Sequence, residues 1–462
     1  MTLIRLLMIA VLLGCATACS ARDTQPNIVF IFADDWGWGD LGAHGSDIAR
    51  TPSLDSLVAQ GTDFYQFTVN SPVCSPSRAA LMTGHFPERY RVDQHFASIE
   101  HHQKANMPDW LNPDAPMLPR ILRNAGYATG HFGKWHLTND WIDDAPLPDK
   151  YGYDEYGAFN IPGKDMPAAD TADRTIDFIR RHKDQPFFVN VWIHETHTPH
   201  YPEPALMKEF DGLDDAELVY AAIVAAGDRD VGKILSVLDE LDLTNDTVVV
   251  FSSDNGPESP NETKFMDDLS TGPGFGRYYS VGSAAGMKGK KRSLFAGGVR
   301  VPFIVRWPGI VAEGEVDRTS VMTAVDILPT LASIAGADLP AGYEGDGENV
   351  LAAFKGESFD RERPIYWVWP PGEENTHAES HYWPHVAYQK DDWKLLVNDQ
   401  LGKAELYRVG DDWYERNDVS ADYPEIVQEL RQEIETLRGA FPKYPDPAAL
   451  SSLRANKKGD GE

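Results

Sequence analysis

The sequence predicts an α/β fold, a sheet covered by helices on both faces and followed by a smaller α+β part. Three observations point there. Residues 27–33, Asn-Ile-Val-Phe-Ile-Phe-Ala, and residues 247–253, Thr-Val-Val-Val-Phe-Ser-Ser, are strand-length apolar runs. Each stops abruptly, one at Asp34-Asp35 and the other at Asp254-Asn255. A run apolar at successive positions belongs to a strand buried on both faces. A third such run, 186–193, ends in a histidine-rich loop, and segments of helical periodicity lie between the runs.

In chain order, residues 1–19 come first. Arg5 precedes the apolar stretch from Leu6 to Leu13, the length of a signal-peptide core and too short to span a bilayer. Leu12-Leu13-Gly14-Cys15 resembles a bacterial lipobox with Cys15 the lipidated residue. Cys19 is a second candidate, and plain secretory cleavage near Ala18 is the alternative. Two of the chain's 3 cysteines lie in this leader, so no disulfide framework is expected. A helix over 53–60 closes at Gly61. Val73-Cys74-Ser75-Pro76 then delivers a cysteine to a helix start, with Ser75 as cap and Pro76 at the first helical position. Such a start attracts anions. A helix over 117–125, closed by Gly126, leads into a strand over 127–136. A long amphipathic helix covers 217–241 despite Gly227 and Gly232, and another covers 324–335 before Gly336. The Gly-, Glu-, Asp- and Pro-rich stretch 340–364 reads as a boundary. Short strands at 365–369, 385–388 and 393–397 and a helix at 424–437 make the smaller part, and 456–462 is a frayed tail.

The chain has 462 residues, 42% of them apolar, enough for a large core and two domains. Its net charge of −29 argues against a nucleic-acid partner, which needs basic surface. An anionic substrate would be repelled by the global field, so a site for one must gather cations locally.

Asp34, Asp35, Asp254 and Asn255 supply hard oxygen ligands from two strand ends, the donor set of a Ca2+ or Mg2+ site rather than of zinc. The alternative is a pair of Asx turns. Lys134 and His136 end the segment Tyr127-Ala-Thr-Gly-His-Phe-Gly-Lys-Trp-His. His194-Glu-Thr-His-Thr-Pro-His200 carries three imidazoles, and Lys288-Gly-Lys-Lys-Arg-Ser-Leu-Phe-Ala-Gly-Gly298 four cations.

Together these segments resemble the type I sulfatases. The run Cys74-Ser-Pro-Ser-Arg78, followed by a short helix ending at Thr83-Gly84, matches every fixed position of that family's signature pentapeptide, and the remaining signatures occur in family order up to residue 302. The resemblance implies an alkaline phosphatase-like fold, a large mixed β-sheet sandwiched by helices, with residues 24–350 as the catalytic domain and 351–462 as a smaller domain with a short antiparallel sheet and a helix. It implies that a formylglycine-generating enzyme oxidises Cys74 to formylglycine, whose hydrated gem-diol attacks sulfur. Asp34, Asp35, Asp254, Asn255 and the modified Cys74 would bind Ca2+, with Mg2+ the alternative. Arg78 would stabilise the formylglycine, Lys134, His197 and Lys291 would bind sulfate, and His136 would contact the diol and act as base. Lys288 and Lys290 compete with Lys291 for its place. Ala296 stands where the family usually has Glu, which weakens a structural contact more than the chemistry, and Arg300 tethers the loop. His194 and His200 are left between substrate, metal and structural roles. Trp36, Trp38, His200, Tyr201, His377 and His381 are candidates for sugar subsites.

The expected activity is hydrolysis of a sulfate ester, probed first with a sulfated saccharide, in the periplasm or on an outer-membrane lipoprotein. The membrane enters only through the N-terminal anchor. One rival is a phosphomonoester or phosphonate hydrolase on the same fold. The other is a surface glycan-binding protein with a dead site, distinguished by whether Cys74 is converted.

Overall fold

The computed structural model describes residues 25–163, 166–261, 266–267, 274–370 and 380–454. The expected leader with Cys15 and Cys19, the tail 456–462, and His377 lie outside the described residues. No helix among them is long and apolar enough to cross a membrane.

Among the described residues, eight strands form one sheet. Edge to edge they are Glu315–Asp317, Thr62–Phe64, Phe303–Arg306, Thr247–Ser253, Asn27–Ala33, Phe187–Trp192, Ala128–Lys134 and Glu155–Phe159. The five strands from Thr247–Ser253 to Glu155–Phe159 are all parallel. Phe303–Arg306 runs against its neighbours on both sides, which makes the sheet mixed. The runs 27–33 and 247–253 are strands over their full predicted lengths. A side chain in a strand points opposite to the next one. Ile28, Phe30 and Phe32 therefore join a core on one face with Val248, Val250, Leu118 and Leu328. Val29 and Ile31 join another on the opposite face with Val249, Phe251, Ile223 and Leu238. Each fully buried side chain of this size contributes about 1.5–3 kcal/mol over leaving it in water.

The long helix is Asp215–Glu240, capped by Asp214, whose carboxylate accepts from the amides of Ala216 at 3.0 Å and Glu217 at 2.9 Å. Gly227 inside it has a packing reason, because a Cβ there would lie 2.8 Å from the ring of Trp36. The smaller sheet is antiparallel, in the order Ile365–Val368, Val386–Lys390, Trp393–Asn398 and Lys403–Arg408, with the helix Pro424–Gly439 packed on it. The stretch 340–364 has little regular structure but is firmly held. Val350, Ala353 and Phe354 enter the core of the large sheet, and Asp346 accepts from Arg89 and from the amide of Phe86 at 2.7 Å each.

Two glycine segments fit backbone to backbone beside the sheet. The amide of Gly256 donates to the carbonyl of Gly298 at 2.9 Å, and a Cβ on Gly256 would sit 1.9 Å from the carbonyl oxygen of Gly297. That contact binds the loop after Thr247–Ser253 to the loop carrying Lys291. Gly256→Ala should lower stability by about 1–3 kcal/mol, the range for overpacking. Gly439→Ala, where a Cβ meets nothing within 4 Å, should leave it unchanged or slightly raised. Urea unfolding midpoints of the two variants test this, and equal midpoints would refute the packing argument.

Candidate active site

In a sheet whose strands run parallel, the chain leaves every strand on the same edge, and ligands gather there. Ala33 pairs with Ser253, so Asp34 and Asp254 emerge side by side. Trp192 and Gly133 pair likewise, which brings in the loop of His194 and His197 and the end of the Lys134 strand. Consecutive strand residues face opposite ways, yet Asp34 and Asp35 both enter one cluster. Asp35 has φ of 61°, a left-handed conformation that breaks the alternation and that Asp adopts more readily than most residues.

The carboxylates and the cations interleave. Lys134 Nζ donates to Asp34 Oδ2 at 2.6 Å, and Lys291 Nζ donates to Asp35 Oδ2 at 2.6 Å. Arg78 Nε and Nη2 donate to Asp254 Oδ2 at 3.0 and 2.6 Å. Asp35 Oδ1 accepts from Asn255 Nδ2 at 2.7 Å. The Arg78 guanidinium lies over the ring of Trp192, 4.7 Å from its centroid. Burial raises the Asp34 carboxyl, but the charge of Lys134 and the hydrogen bond from His194 outweigh it and hold that group well below its ordinary range. Asp254 goes the other way. Burial pushes it well up, Arg78 offsets only part, and the charge of Asp34 adds to the rise. Burial and the neighbouring charge of Asp34 thus act in the same direction on Asp254.

Two buried oxygens lie where a further cation would fit. Asp34 Oδ1 and Asn255 Oδ1 are buried without a hydrogen-bond partner. Oxygens of Asp34, Asp35 and Asp254 lie within 4.8 Å of one another. Orphaned buried acceptors beside three carboxylates fit a hard divalent ion of the calcium or magnesium type. Asp34, His194 and His197 form a second such group, and a metal role is one of the readings the sequence leaves open for His194. Its ligands are already engaged, His194 Nδ1 with Asp34 and His197 Nδ1 with the carbonyl of Thr198 at 2.6 Å.

The helix Cys74–Thr83 starts at the cysteine itself, with Val73 as its N-cap. Ser75 is therefore not the cap, and Pro76 is the third helical residue rather than the first. Ser75 Oγ accepts from the amide of Phe96 at 3.0 Å, and this tertiary bond takes the hydroxyl from capping. Cys74 is 4% exposed. Arg78, one turn along, reaches Asp254 at 2.6 Å and Asp34 at 3.5 Å. His136 has φ of 52° and donates from Nε2 to the carbonyl of Phe96 at 2.9 Å. Burial, aided by Lys134, holds it well below the ordinary imidazole range, so it is neutral, with a lone pair on buried Nδ1. His197 is neutral for the same two reasons, and its Nε2 stands 3.8 Å from Asp35 Oδ2.

The three lysines of the 288–298 loop separate cleanly. Lys291 reaches the carboxylates, Lys288 goes to Glu405 at 3.0 Å and Tyr407 at 3.1 Å, and Lys290 goes to the carbonyl of Gly282 at 2.7 Å. The amide of Ala296 donates to Glu415 at 2.7 Å, and Arg300 bonds Trp413 and Gln66. Among the candidate sugar contacts, Trp36 is wholly core, Trp38 is packed against His44 and Tyr65, and His200 is buried with Ser280. Tyr201 is 56% exposed, and His381 is half-buried.

Sequence reasoning missed Glu258, whose carboxylate accepts from both Nη atoms of Arg292 at 2.6 and 2.8 Å and lies 3.6 Å from Lys291 Nζ. Burial raises Glu258, but Lys291 and Arg292 outweigh it and bring it down to about 2. Trp192 reads in the sequence only as a strand residue, and His95, exposed with its ring 6.4 Å from that of His136, carries no sequence signal. None of the three stands in a recognisable spacing.

A family model described as Sulfatase matches residues 26–337, and one described as N-sulphoglucosamine sulphohydrolase, C-terminal, matches residues 288–440. The N-acetylgalactosamine-6-sulfatase of Mus musculus is 32% identical over 408 residues, 79% of this chain and 72% of its own length. The N-acetylgalactosamine-6-O-sulfatase of Bacteroides thetaiotaomicron is 25% identical over 529 residues, 93% and 97% of the two chains. A structure of Ps i-CgsB in complex with k-i-k-neocarrahexaose superposes with a TM-score of 0.75 at 26% identity, covering 94% of this chain and 98% of that one.

If the orphaned oxygens hold an ion, calcium at a hundredfold excess over its Kd should stabilise the folded chain by about 2.7 kcal/mol. The expected readout is a higher melting midpoint that a chelator reverses and that Asp34→Ala lacks. An unchanged midpoint with both calcium and magnesium would exclude the site.

Proposed function

From its place in the sulfatase family, to which this chain belongs as a sulfuric ester hydrolase, we propose that it hydrolyses sulfate esters of carbohydrates with a formylglycine made from Cys74. The observation that carries the reading is the position of Cys74, at the head of a buried helix whose Arg78 is bonded to the Asp34, Asp35 and Asp254 cluster. The N-acetylgalactosamine sulfatases and the carrahexaose complex among its relatives support a sulfated saccharide as substrate. The leader-like sequence at 1–19 supports export, to the periplasm or as an outer-membrane lipoprotein.

Asp34, Asp35, Asp254 and Asn255, with residue 74, would hold Ca2+, which when bound supplies Lewis-acid polarisation. The formylglycine hydrate supplies one hydroxyl for attack on sulfur and a second whose deprotonation releases sulfate and restores the aldehyde. The chain's own groups do the rest. Lys134, Lys291 and Arg78 neutralise the cluster in the resting protein, and in this reading the two lysines stabilise charge on the sulfuryl oxygens. His136 offers the Nδ1 lone pair, oriented by its bond to Phe96, to the hydroxyl proton. His197 begins neutral, so it must gain a proton on Nε2 as the anion enters, since a nearby negative charge raises an imidazole. It then protonates the departing sugar oxygen.

Mass spectrometry of the peptide holding Cys74 should find the aldehyde when the chain is made beside a formylglycine-generating enzyme. Cys74→Ala should lose on the order of 10⁴-fold or more in kcat, the scale of a lost nucleophile. A panel should include 6-sulfated N-acetylgalactosamine, carrageenan oligosaccharides and a phosphate monoester. Full turnover by Cys74→Ala would overturn the mechanism, and faster turnover of the phosphate ester would overturn the substrate class.

A further inference from the structure

We infer that residues 446–454 are a strap that positions His136, with Arg454 and Asp109 as its positioning residues. The inference rests on the proposed role of His136 as proton acceptor. The strap lies far from residue 136 in sequence and touches none of the carboxylates or cations above. An unbroken series of hydrogen bonds nevertheless connects them.

The series begins at Asp109, whose side chain is fully buried. Its Oδ2 accepts from Arg454 Nε at 2.5 Å and from the amide of Ser451 at 2.7 Å, and its Oδ1 accepts from Arg454 Nη2 at 2.9 Å. Oδ1 also accepts from His102 Nδ1 at 2.8 Å. A carboxylate can only accept here, so the proton of His102 sits on Nδ1. The free Nε2 then accepts from the amide of Ala97 at 2.7 Å. Ala97 follows Phe96, and the Phe96 peptide groups face the site. The Phe96 amide donates to Ser75, next to Cys74, at 3.0 Å. The Phe96 carbonyl accepts from His136 Nε2 at 2.9 Å and from Asn139 Nδ2 at 3.2 Å.

The orientation of His136 needs such support. The residue lies just past the strand Ala128–Lys134 in a left-handed conformation, so no ladder bond aims its ring. The bond to Phe96 sets which nitrogen carries the proton, and hence which offers a lone pair. A shift of residues 95–97 would loosen that choice. The strap prevents it by gripping the base of the loop. The Asp109 amide donates to the carbonyl of Ala449 at 2.8 Å, Ala449 packs with Ile99, Trp110 and Ile142, and Asp144 accepts from Ser451 Oγ at 2.6 Å. His102 and Phe96 also meet ring to ring, edge-on at 5.6 Å.

The test uses the full mature chain carrying formylglycine, with Arg454→Ala, Arg454→Lys and the milder Asp109→Asn. With an aryl sulfate, Arg454→Ala should lose about tenfold in kcat while KM moves less than about threefold, the split expected when transition-state contacts alone are lost. Arg454→Lys, or millimolar guanidinium added to the Ala variant, should restore part of kcat. Hydrogen exchange in the peptide spanning 95–104 should quicken in Arg454→Ala, while peptides of the strands 27–33 and 247–253 stay as they were. A kcat unchanged in both Arg454→Ala and Asp109→Asn, whatever happens to the melting midpoint, would make the strap a mere fastening and overturn the inference. If Arg454→Ala does not fold, Asp109→Asn decides by the same two readouts. If the wild type hydrolyses no sulfate ester, the functional reading fails by itself. The strap is then judged by exchange alone, and an unaltered 95–104 peptide would refute it.

Discussion

Three carboxylates held out of water at the ends of adjacent strands constrain the rest of this molecule. Asp34, Asp35 and Asp254 are each fully buried. Ionised carboxylates in so dry a place are costly unless opposite charge and hydrogen bonds lie against them. The fold meets that need from three unrelated elements. Lys134 comes from a strand end, Arg78 from one turn into a helix, and Lys291 from an irregular loop. Removing any one would take a compensating charge away from a buried carboxylate. The geometry of the site and the stability of the sheet edge are therefore one problem.

The same arrangement reconciles a strongly acidic protein with an anionic substrate. The net charge of −29 belongs to the surface as a whole, whereas the pocket concentrates lysine, arginine and histidine within a shell of low polarisability. The aromatic face of Trp192 beneath Arg78 adds to this, since a desolvated guanidinium over indole is stabilised by about 2 kcal/mol. Glu258, bonded to Arg292, is a second acidic partner 3.6 Å from Lys291 Nζ.

The C-terminal part is a brace for this pocket. Trp367 Nε1 donates to the carbonyl of Val69 at 2.6 Å, just before the helix of Cys74. Lys394 Nζ donates to the carbonyl of Leu294 at 2.9 Å and to Glu415 at 2.6 Å, and Glu415 also receives the amide of Ala296. The 288–298 loop is thus held between Gly256 on one side and the smaller sheet on the other. That explains how a segment almost without regular structure can place Lys291 accurately.

Strands buried on both faces were legible because burial demands unbroken apolar runs, and Asp34 and Asp254 marked their ends without ambiguity. Cys74, Arg78, Lys134, His136, His197 and Lys291 were legible because they stand in spaced signatures. The strand Lys403–Arg408 was not, since at the edge of a small sheet it carries Lys403, Glu405 and Arg408 and lacks an apolar run. The start of the Cys74 helix was misjudged because Ser75 found a partner in Phe96, distant in sequence. The chemical identities at the strand ends were therefore determined by local sequence, where hydrophobicity and residue type act over a few positions. Which cation meets which carboxylate, the recruitment of Glu258 and His194, and the grip of Arg454 on Asp109 were decided only in three dimensions. Those contacts join residues that no local pattern couples, through charges that must be neutralised wherever the fold buries them.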